Sequence, residues 1–245
     1  DRPGHADRMW RERFKHRDPR GGGRTSGRET LSRVIGGAVA EAMLLRELPA
    51  VSTVAWVSQV GPIVAPLPPL SCNRIDVDAS AIRCPDPEAA GQMHQLVVDA
   101  KTRGDSYGGS IHARVTGLPA GLGEPVFGKL KATLAMALSG IGAVTGVVFG
   151  PDNLEERLKS PGLAFHANES VVPSEVYGGI QGGLSNGEPL MVRVLFKPPA
   201  TLSQHAKGGR HDPCILPRAV PVIEAMISMV LADAWLQYLA RPHRA

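Results

Sequence analysis

The chain has 245 residues and an ordinary globular composition, with 43% hydrophobic and 20% charged residues. A chain of this length can bury a sizeable core, and because aromatic residues make up only 4%, that core must be mainly aliphatic. Three cysteines exclude a disulfide framework, and the absence of a Cys-X-X-Cys pair argues against structural zinc. We therefore expect a reducing compartment and no metal site.

The net charge of +4 is concentrated near the start of the sequence. Ten of the 27 lysines and arginines lie within the first 33 residues, against five acidic residues. Such a segment is expected to meet anions, either a phosphorylated or carboxylated small molecule or a nucleic acid. Nucleic acid is the less favoured alternative, because no helix-turn-helix, RNA-binding or zinc-finger pattern occurs and aromatic residues for base stacking are scarce.

The first predicted helix covers residues 27–46. Three consecutive glycines, 21–23, precede it, and Ser26 with Glu29 three residues later matches a capping box. Apolar residues then follow the i, i+3, i+4 spacing of an amphipathic helix. A glycine loop is therefore predicted to end at a capped helix amino terminus.

The middle of the chain predicts a strand over 51–60, a proline-rich loop over 61–70 and a helix that ends near Gly104. Residues 109–116 alternate apolar and polar side chains, which predicts a strand with one buried face. Residues 185–187, Ser-Asn-Gly, predict a hairpin turn.

The second half of the chain predicts further elements of both kinds, so the fold class is α+β. They are a helix over 126–139, strands over 143–149 and 191–196, a glycine-dense turn over 178–183, and a last helix with Pro221 in its first turn that ends near 240. The apolar stretch 219–240 is interrupted by Pro221, Glu224 and Asp233, which favours a buried helix over a membrane span.

Residues 21–30 are the first candidate binding site. Glycines allow a backbone to approach an anion closely, and the free N–H groups at a helix start bind phosphate. Arg24 and Arg28 add charge and bidentate geometry. The alternative is a glycine turn before a solvated helix. That alternative explains Ser26 and Glu29 but not the flanking arginines, so we favour the anion site.

Two further segments carry groups suited to proton transfer. Residues 209–214, Gly-Arg-His-Asp-Pro-Cys, place a cation, an imidazole and a carboxylate in a row, and a neighbouring arginine would keep Asp212 ionised as a proton acceptor. Residues 2–7 contain His5, the side chain type most suited to proton transfer near neutral pH. A surface ion pair and a solvated histidine are the respective alternatives.

Residues 183–187 formally match the Gly-X-Ser-X-Gly nucleophile elbow of serine hydrolases. That elbow requires a strand before the serine and a helix after it. Here a glycine turn comes before Ser185 and a strand follows it, and the downstream order of histidine and acid is reversed. We therefore reject the hydrolase interpretation.

Several long blocks resemble the chorismate synthase family, in the order in which that family carries them. They are RPGHAD (2–7), RDPRGGGRTSGRET (17–30), GLPAGLGEPVF (117–127), GGIQGGLSNGEP (178–189), KPPATL (197–202) and GRHDPC (209–214). The resemblance implies a β-α-β sandwich, with mixed or antiparallel sheets packed around helices, and a homotetramer. It implies a lyase that converts 5-enolpyruvylshikimate 3-phosphate to chorismate by 1,4-anti elimination of phosphate. Reduced FMN is then required without being consumed, with NADPH as a candidate reductant.

The resemblance also implies roles for individual residues. His5 would protonate the reduced flavin, and Asp212 would lie near the flavin N5 and serve in removing the substrate proton. Substrate anions would be held by Arg2, Arg28 and Arg210. Flavin contacts are implied for Arg24, Thr25, Ser26, Gly142, Ala143, Gly182, Lys197, Pro198, Pro199, Ala200, Thr201 and Arg210.

The sequence departs from the family at its start. No Gly-Glu-Ser-His string occurs, although the family carries a GESHG-like motif and a pair of substrate-binding arginines there. We expect residues 1–245 to form one domain that lacks the family's amino-terminal section. The alternative function is a fragment that binds flavin without turning over. We expect a cytoplasmic protein without nucleic-acid or membrane partners, and a plastid address stays open.

Overall fold

The computed structural model of the chain describes residues 1, 5–150, 177–200 and 212–241. Its helices are α1 Asp7–Phe14, α2 Thr30–Glu47, α3 Arg74–Asp78, α4 Pro87–Arg103, α5 Leu130–Ser139 and α6 Leu216–Ala240. Its strands are β1 Ser52–Val60, β2 Ile63–Val64, β3 Gly109–Thr116, β4 Val144–Phe149, β5 Ile180–Gln181, β6 Leu184–Ser185 and β7 Leu190–Phe196. Two short 3₁₀ turns, Gly23–Thr25 and Gly27–Glu29, precede α2.

Five strands form one antiparallel sheet in the order β2-β1-β3-β7-β4. The strands β5 and β6 form a separate two-stranded hairpin. Helices together with an antiparallel sheet confirm the predicted α+β class. The four longer strands lie within one or two residues of their predicted bounds. Each strand has either alternating apolar and polar residues or a continuous apolar run, and glycine or proline residues mark its ends.

α6 packs on one face of the sheet and carries much of the core. Leu216, Ile223, Ile227 and Leu231 are fully buried in the same cluster as the inward side chains of β1, β3 and β7. By length and composition α6 could cross a membrane. In the structure, the inward-facing apolar side chains of α6 are instead buried in the core, whereas Leu236 and Leu239 near its end are exposed. This packing supports the prediction of a buried helix.

The start of α6 differs from the prediction, because the helix begins five residues before Pro221. Proline has no N–H group, so Pro221 cannot donate to the carbonyl of Pro217 one turn earlier. That carbonyl instead accepts a hydrogen bond of 2.9 Å from Nη1 of Arg83. A distant arginine therefore satisfies the group that proline leaves open, and the helix continues through it.

The prediction that β3 has one solvated face was wrong. His112 and Arg114 point away from the main core, yet they are only 6% and 4% exposed. The guanidinium of Arg114 lies 5.5 Å from the ring centroid of Trp56. It also donates hydrogen bonds to four carbonyls of the proline-rich segment that covers this face, those of Pro68, Pro69, Leu70 and Cys72.

The hairpin turn was also predicted at the wrong place. The turn between β5 and β6 is formed by Gly182 and Gly183, while Ser185 lies within β6 and is 4% exposed. Its hydroxyl donates to the carbonyl of Pro119 at 2.6 Å and accepts from the N–H of Leu122 at 2.9 Å. A buried, engaged hydroxyl without a following helix is consistent with rejecting the nucleophile elbow.

The helix α5 begins at Leu130, four residues later than predicted. Val126 and Phe127 are exposed, and Glu124 donates its N–H to the carbonyl of Gly128 at 2.9 Å. This turn uses backbone groups that the first helical turn would need. The helix therefore starts only after Gly128, where the N–H of Leu130 bonds to the carbonyl of Gly183.

Candidate active site

One end of the sheet gathers two of the predicted flavin-binding segments. β7 ends at Phe196 opposite Val144, the first residue of β4. Immediately beyond this pair, the N–H of Lys197 donates to the carbonyl of Ala143 at 3.0 Å. The segments 142–143 and 197–200, which are 54 positions apart in sequence, are therefore held side by side by antiparallel pairing.

The segment before β3 ties Asp212 to the same end of the sheet. The hydroxyl of Ser106 donates to the carbonyl of Pro199 at 2.8 Å, and the N–H of Tyr107 donates to the carbonyl of Pro213 at 2.8 Å. Residues 106–107 therefore contact both the segment after β7 and the residue that follows Asp212. This places Asp212 at the end of the sheet where the flavin contacts were predicted.

Asp212 forms an ion pair with Arg218, in the first turn of α6. The sequence predicted a neighbouring arginine, but the candidate was Arg210, which lies outside the described residues. The carboxylate side chain is one third exposed, so it is accessible to a ligand while it is held by the guanidinium. A partly exposed, oriented carboxylate is suited to accepting a proton.

The glycine segment folds as a tight turn before α2. Gly21, Gly22 and Gly23 all have positive φ, of 98°, 90° and 51°, a backbone region that other residues enter only with strain. Thr25 donates both its N–H and its hydroxyl to the carbonyl of Gly22, at 2.9 and 2.7 Å. The glycines are therefore required by the turn itself, whatever they bind.

The predicted capping box did not form. The side chain of Ser26 accepts a hydrogen bond from the N–H of Arg28 at 3.3 Å, within the 3₁₀ turn. The carboxylate of Glu29 instead pairs with Arg33 at 2.6 Å. The reason is that an additional 3₁₀ turn separates Ser26 from the start of α2, so the two side chains do not occupy the N-cap and N3 positions of one helix.

Arg24 and Arg28 are exposed at this turn. Within the part of the chain that the structure describes, neither side chain has an ion-pair partner, whereas Arg20 pairs with Asp18 in the same turn. The hydrogen bond from the N–H of Arg20 lowers the pKa of Asp18. Two exposed guanidinium groups before a helix amino terminus form a suitable anion site.

The backbone at 142–143 is open on the side where a ligand could lie. A Cβ placed on Gly142 would meet no atom of the described residues within 4 Å. Ala143 has a φ of 70°, which is unfavourable for a residue other than glycine. Because the carbonyl of Ala143 accepts from Lys197, antiparallel pairing maintains this conformation.

Gly182 lies elsewhere in the chain. The neighbouring Gly183 accepts from the N–H of Leu130 at the start of α5, whereas Gly142 follows the end of that helix. A helix of ten residues is about 15 Å long. Gly182 and Gly142 therefore lie at opposite ends of α5 and are not side by side in the same chain.

The remaining predicted residues are placed less directly. His5 is exposed and lies two residues before α1, whose neighbourhood is held by ion pairs of Arg17 with Asp1 and Asp7. The described contacts do not place His5 beside Asp212. Arg2, Thr201 and Arg210 lie outside the described residues.

Two grooves of about 380 and 530 Å³ lie elsewhere on the surface. Both are lined by Asp76, Pro85 and Pro87, and the residues described as lining them include none of the predicted site residues. Alanine and proline make up five of the eleven residues that line the smaller groove and five of the ten that line the larger one. We therefore locate the candidate site at the end of the sheet, where the open backbone lies, rather than in these grooves.

Sequence reasoning missed two arginines at this end of the molecule. Arg218 pairs with Asp212, and Arg33 joins α2 to the carbonyl of Gly140 at 2.9 Å. The i, i+4 spacing of Glu29 and Arg33 could have predicted their ion pair. No local pattern could have predicted the contact with Gly140, which is 107 positions away.

Comparison with known proteins shows which family the chain matches. The family model for chorismate synthase matches residues 1–236. A chorismate synthase of Phocaeicola vulgatus is 42% identical over 252 residues, which cover 96% of this chain and 70% of that protein. One of Bdellovibrio bacteriovorus is 43% identical over 236 residues, covering 96% of this chain and 67% of that protein.

A solved structure titled as a chorismate synthase superposes with a TM-score of 0.75 at 27% identity, covering 96% of this chain and 71% of that one. The family match includes the glycine turn, the open backbone at 142–143 and the Asp212 segment, and the last two of these lie at one end of the sheet. On this evidence the chain belongs to the chorismate synthase family, a family of lyases.

Proposed function

We propose that this chain eliminates phosphate from 5-enolpyruvylshikimate 3-phosphate to form chorismate, with reduced FMN present and not consumed. The observation that carries the proposal is the convergence of residues 142–143, 197–200 and Asp212 at one end of the sheet. A substrate with one phosphate and two carboxylates requires cations, and the 1,4-elimination requires a proton acceptor.

The described residues fit a flavin phosphate and ring system. Arg24, Arg28 and Lys197 are exposed cations without an ion-pair partner in the described part of the chain. The open space beside Gly142 would admit a flat ligand against the backbone. When bound, reduced flavin supplies the electron-rich ring chemistry that side chains lack. Contacts from Thr25, Ser26 and residues 198–201 complete the proposed set.

The chain's own residues would handle the substrate anions and the proton. Asp212 would serve in taking the proton from the substrate, held in place by Arg218. Arg2, Arg28 and Arg210 would neutralise the phosphate and carboxylates, which favours departure of the phosphate. His5 would supply a proton to the reduced flavin. Gly182 would contact flavin only if it were brought there by another copy of the chain.

An anaerobic turnover assay tests the proposal. The chain is mixed with chemically reduced FMN and 5-enolpyruvylshikimate 3-phosphate, and chorismate absorbance and phosphate release are followed. Asp212→Asn is expected to lower kcat by about 100-fold or more, in the range of a lost general base. Asp233→Asn is the matched control, because Asp233 is an exposed carboxylate of α6 that bonds to Gln237.

Each outcome distinguishes one function from another. Turnover that Asp212→Asn abolishes and Asp233→Asn preserves supports the proposal. Flavin binding that tightens with substrate, but without turnover, favours a flavin-binding fragment. Salt-dependent binding to any polyanion without a flavin preference favours a nucleic-acid module. Oxidation of NADPH by the FMN-loaded chain would show that it reduces its own flavin.

The homotetramer that the family implies is part of the same proposal. Leu31, Ile35 and Val39 form an exposed apolar stripe along α2, and they are 67%, 60% and 69% exposed. Such a stripe at i, i+4, i+8 spacing suits contact with another copy. Ile35→Glu is expected to lower the mass measured by light scattering, whereas Ser32→Glu on the same helix is the control.

We also propose a cytoplasmic location for this chain, because it belongs to the chorismate synthase family.

A further inference from the structure

Arg33 is a partly buried cation for which the predicted site does not account. Its side chain is one quarter exposed and has partners on two different elements. Nη2 lies 2.6 Å from Oε1 of Glu29, and Nη1 donates to the carbonyl of Gly140 at 2.9 Å. The first contact joins α2 to the 3₁₀ turn that precedes it, and the second reaches the end of α5.

The second contact completes the end of α5. Gly140 is the C-cap of that helix, and the last turn of α5 carries no basic residue. The final carbonyls of a helix have no intrahelical donor and carry partial negative charge, so a cation there is stabilising. Arg33 supplies that cation from α2 through its hydrogen bond to the carbonyl of Gly140.

The two partners of Arg33 belong to the two halves of the proposed flavin site. Glu29 directly follows Arg28 in the glycine turn, and Gly140 lies two residues before Gly142. We propose that Arg33 is a positioning residue that holds the glycine turn and the 142–143 backbone at the separation at which one flavin contacts both. This inference rests on the proposed function.

Arginine is suited to this task because its planar fork can satisfy a carboxylate and a carbonyl at once. Glutamine at position 33 would lose the charge and one of the two contacts. Lysine would retain an ion pair with Glu29 but not the fork. The two substitutions Arg33→Lys and Arg33→Gln therefore weaken the contacts of residue 33 in two steps. A matched control is Arg46→Gln, which breaks the exposed pair of Arg46 with Glu47 on the same helix.

The experiment uses the full chain and three measurements. An anaerobic titration gives the Kd of reduced FMN, thermal unfolding gives Tm, and amide hydrogen exchange without flavin reports the local opening of residues 140–143. Arg33→Gln is expected to weaken FMN binding roughly tenfold, the scale of one charged hydrogen bond. It is also expected to speed exchange at 140–143 and to lower Tm by a few degrees relative to Arg46→Gln, because a stabilising cation at the end of α5 is lost. Arg33→Lys should lie between the two.

Two results would overturn the inference. One is unchanged FMN affinity and unchanged exchange at 140–143 in Arg33→Gln. The other is a fall in the FMN affinity of Arg33→Gln that its fall in Tm fully explains, while Arg33→Lys has the affinity and Tm of the unmodified chain. That result would describe a residue that only stabilises the fold. If the unmodified chain and Arg46→Gln both fail to bind reduced FMN, the proposed function fails. The exchange measurement still decides separately whether Arg33 orders residues 140–143.

Discussion

The crossing of α2 over α6 and the end of the sheet both depend on glycine, and they use it in opposite ways. At the crossing, a Cβ on Gly37 would overlap Ala225 of α6. At the end of the sheet, a Cβ on Gly142 would meet nothing within 4 Å in the part of the chain that the structure describes. The absence of a side chain lets two helices touch in the first case and leaves space for a ligand in the second. The residue type alone does not distinguish the two uses.

The largest effect is expected from Gly37→Ala. The added methyl group would collide with the Cα and Cβ of Ala225, and its carbonyl oxygen would lie at only 2.9 Å, so the helices must separate. Overpacking of this kind costs roughly 3 kcal/mol of unfolding free energy. Denaturant unfolding measures the loss, and Ala225→Gly in the same chain should restore only part of it, because the Cα of residue 225 would still overlap the added methyl group.

Gly36→Ala is the matched control for that change. A Cβ on Gly36 would approach only Sδ of Met229, at 3.2 Å, and a methionine side chain can move. Alanine is also the better helix former, so Gly36→Ala should be neutral or stabilising. Equal destabilisation by both changes would contradict the close contact at Gly37.

A smaller change in stability, which depends on pH, is expected where α2 crosses α6. Glu224 is largely buried, accepts from the N–H of Ala55 at 2.8 Å and pairs with Arg74 at 3.2 Å. Burial raises the pKa of Glu224, although Arg74 opposes the rise. The folded state therefore holds this proton to higher pH than the unfolded chain does. The contribution of Glu224 to stability is lost as pH rises through the folded pKa.

Glu224→Gln tests that sign. Glutamine can still accept from Ala55, and Arg74 keeps its contact with Glu41 at 2.6 Å. The variant should become more stable relative to the unmodified chain as pH rises above about 4.5, the ordinary pKa of glutamate. Denaturant unfolding at a series of pH values measures the difference. A variant whose relative stability falls as pH rises would show that the ionised form is the favoured one.

At the end of the sheet, Ala143→Gly is expected to stabilise the chain slightly. Ala143 has a φ of 70°, and glycine adopts this conformation without the steric penalty of a Cβ. The gain is limited to about 1 kcal/mol, since glycine also makes the unfolded chain more flexible. Thermal unfolding measures it. A loss of stability would mean that the Ala143 methyl group contributes packing that outweighs its backbone strain.

The smallest effect on stability is expected from Gly142→Ala, with unfolding free energy unchanged within about 0.5 kcal/mol. Its methyl group would enter the open space, so the affinity for reduced FMN should fall roughly tenfold. Gly91→Ala in α4 is the control, because its added Cβ also meets nothing within 4 Å. If both variants bind FMN like the unmodified chain, the space beside Gly142 is not the flavin site.

Local patterns predicted most of the elements because their causes are local. The strand 109–116 was placed with its correct bounds by alternation, and the helix after Pro87 ends at Arg103, with Gly104 at its C-cap, where φ is 78°. The predictions failed where distant groups intervene. Arg83 supports α6 across Pro221, and the carbonyls of 68–72 bury Arg114 on the face of β3 that was expected to be solvated.

The sequence by itself determined the fold class, the basic glycine turn and the family to which the chain belongs, since periodicity, turn chemistry and long motifs are written in consecutive residues. Only the tertiary structure decided which of the motifs meet. It joins residues 142–143 to 197–200 through antiparallel pairing, brings Arg33 to Gly140, and leaves Gly182 at the far end of α5. Those contacts depend on how strands and helices pack, and residues far apart in sequence carry no local signal of their contact.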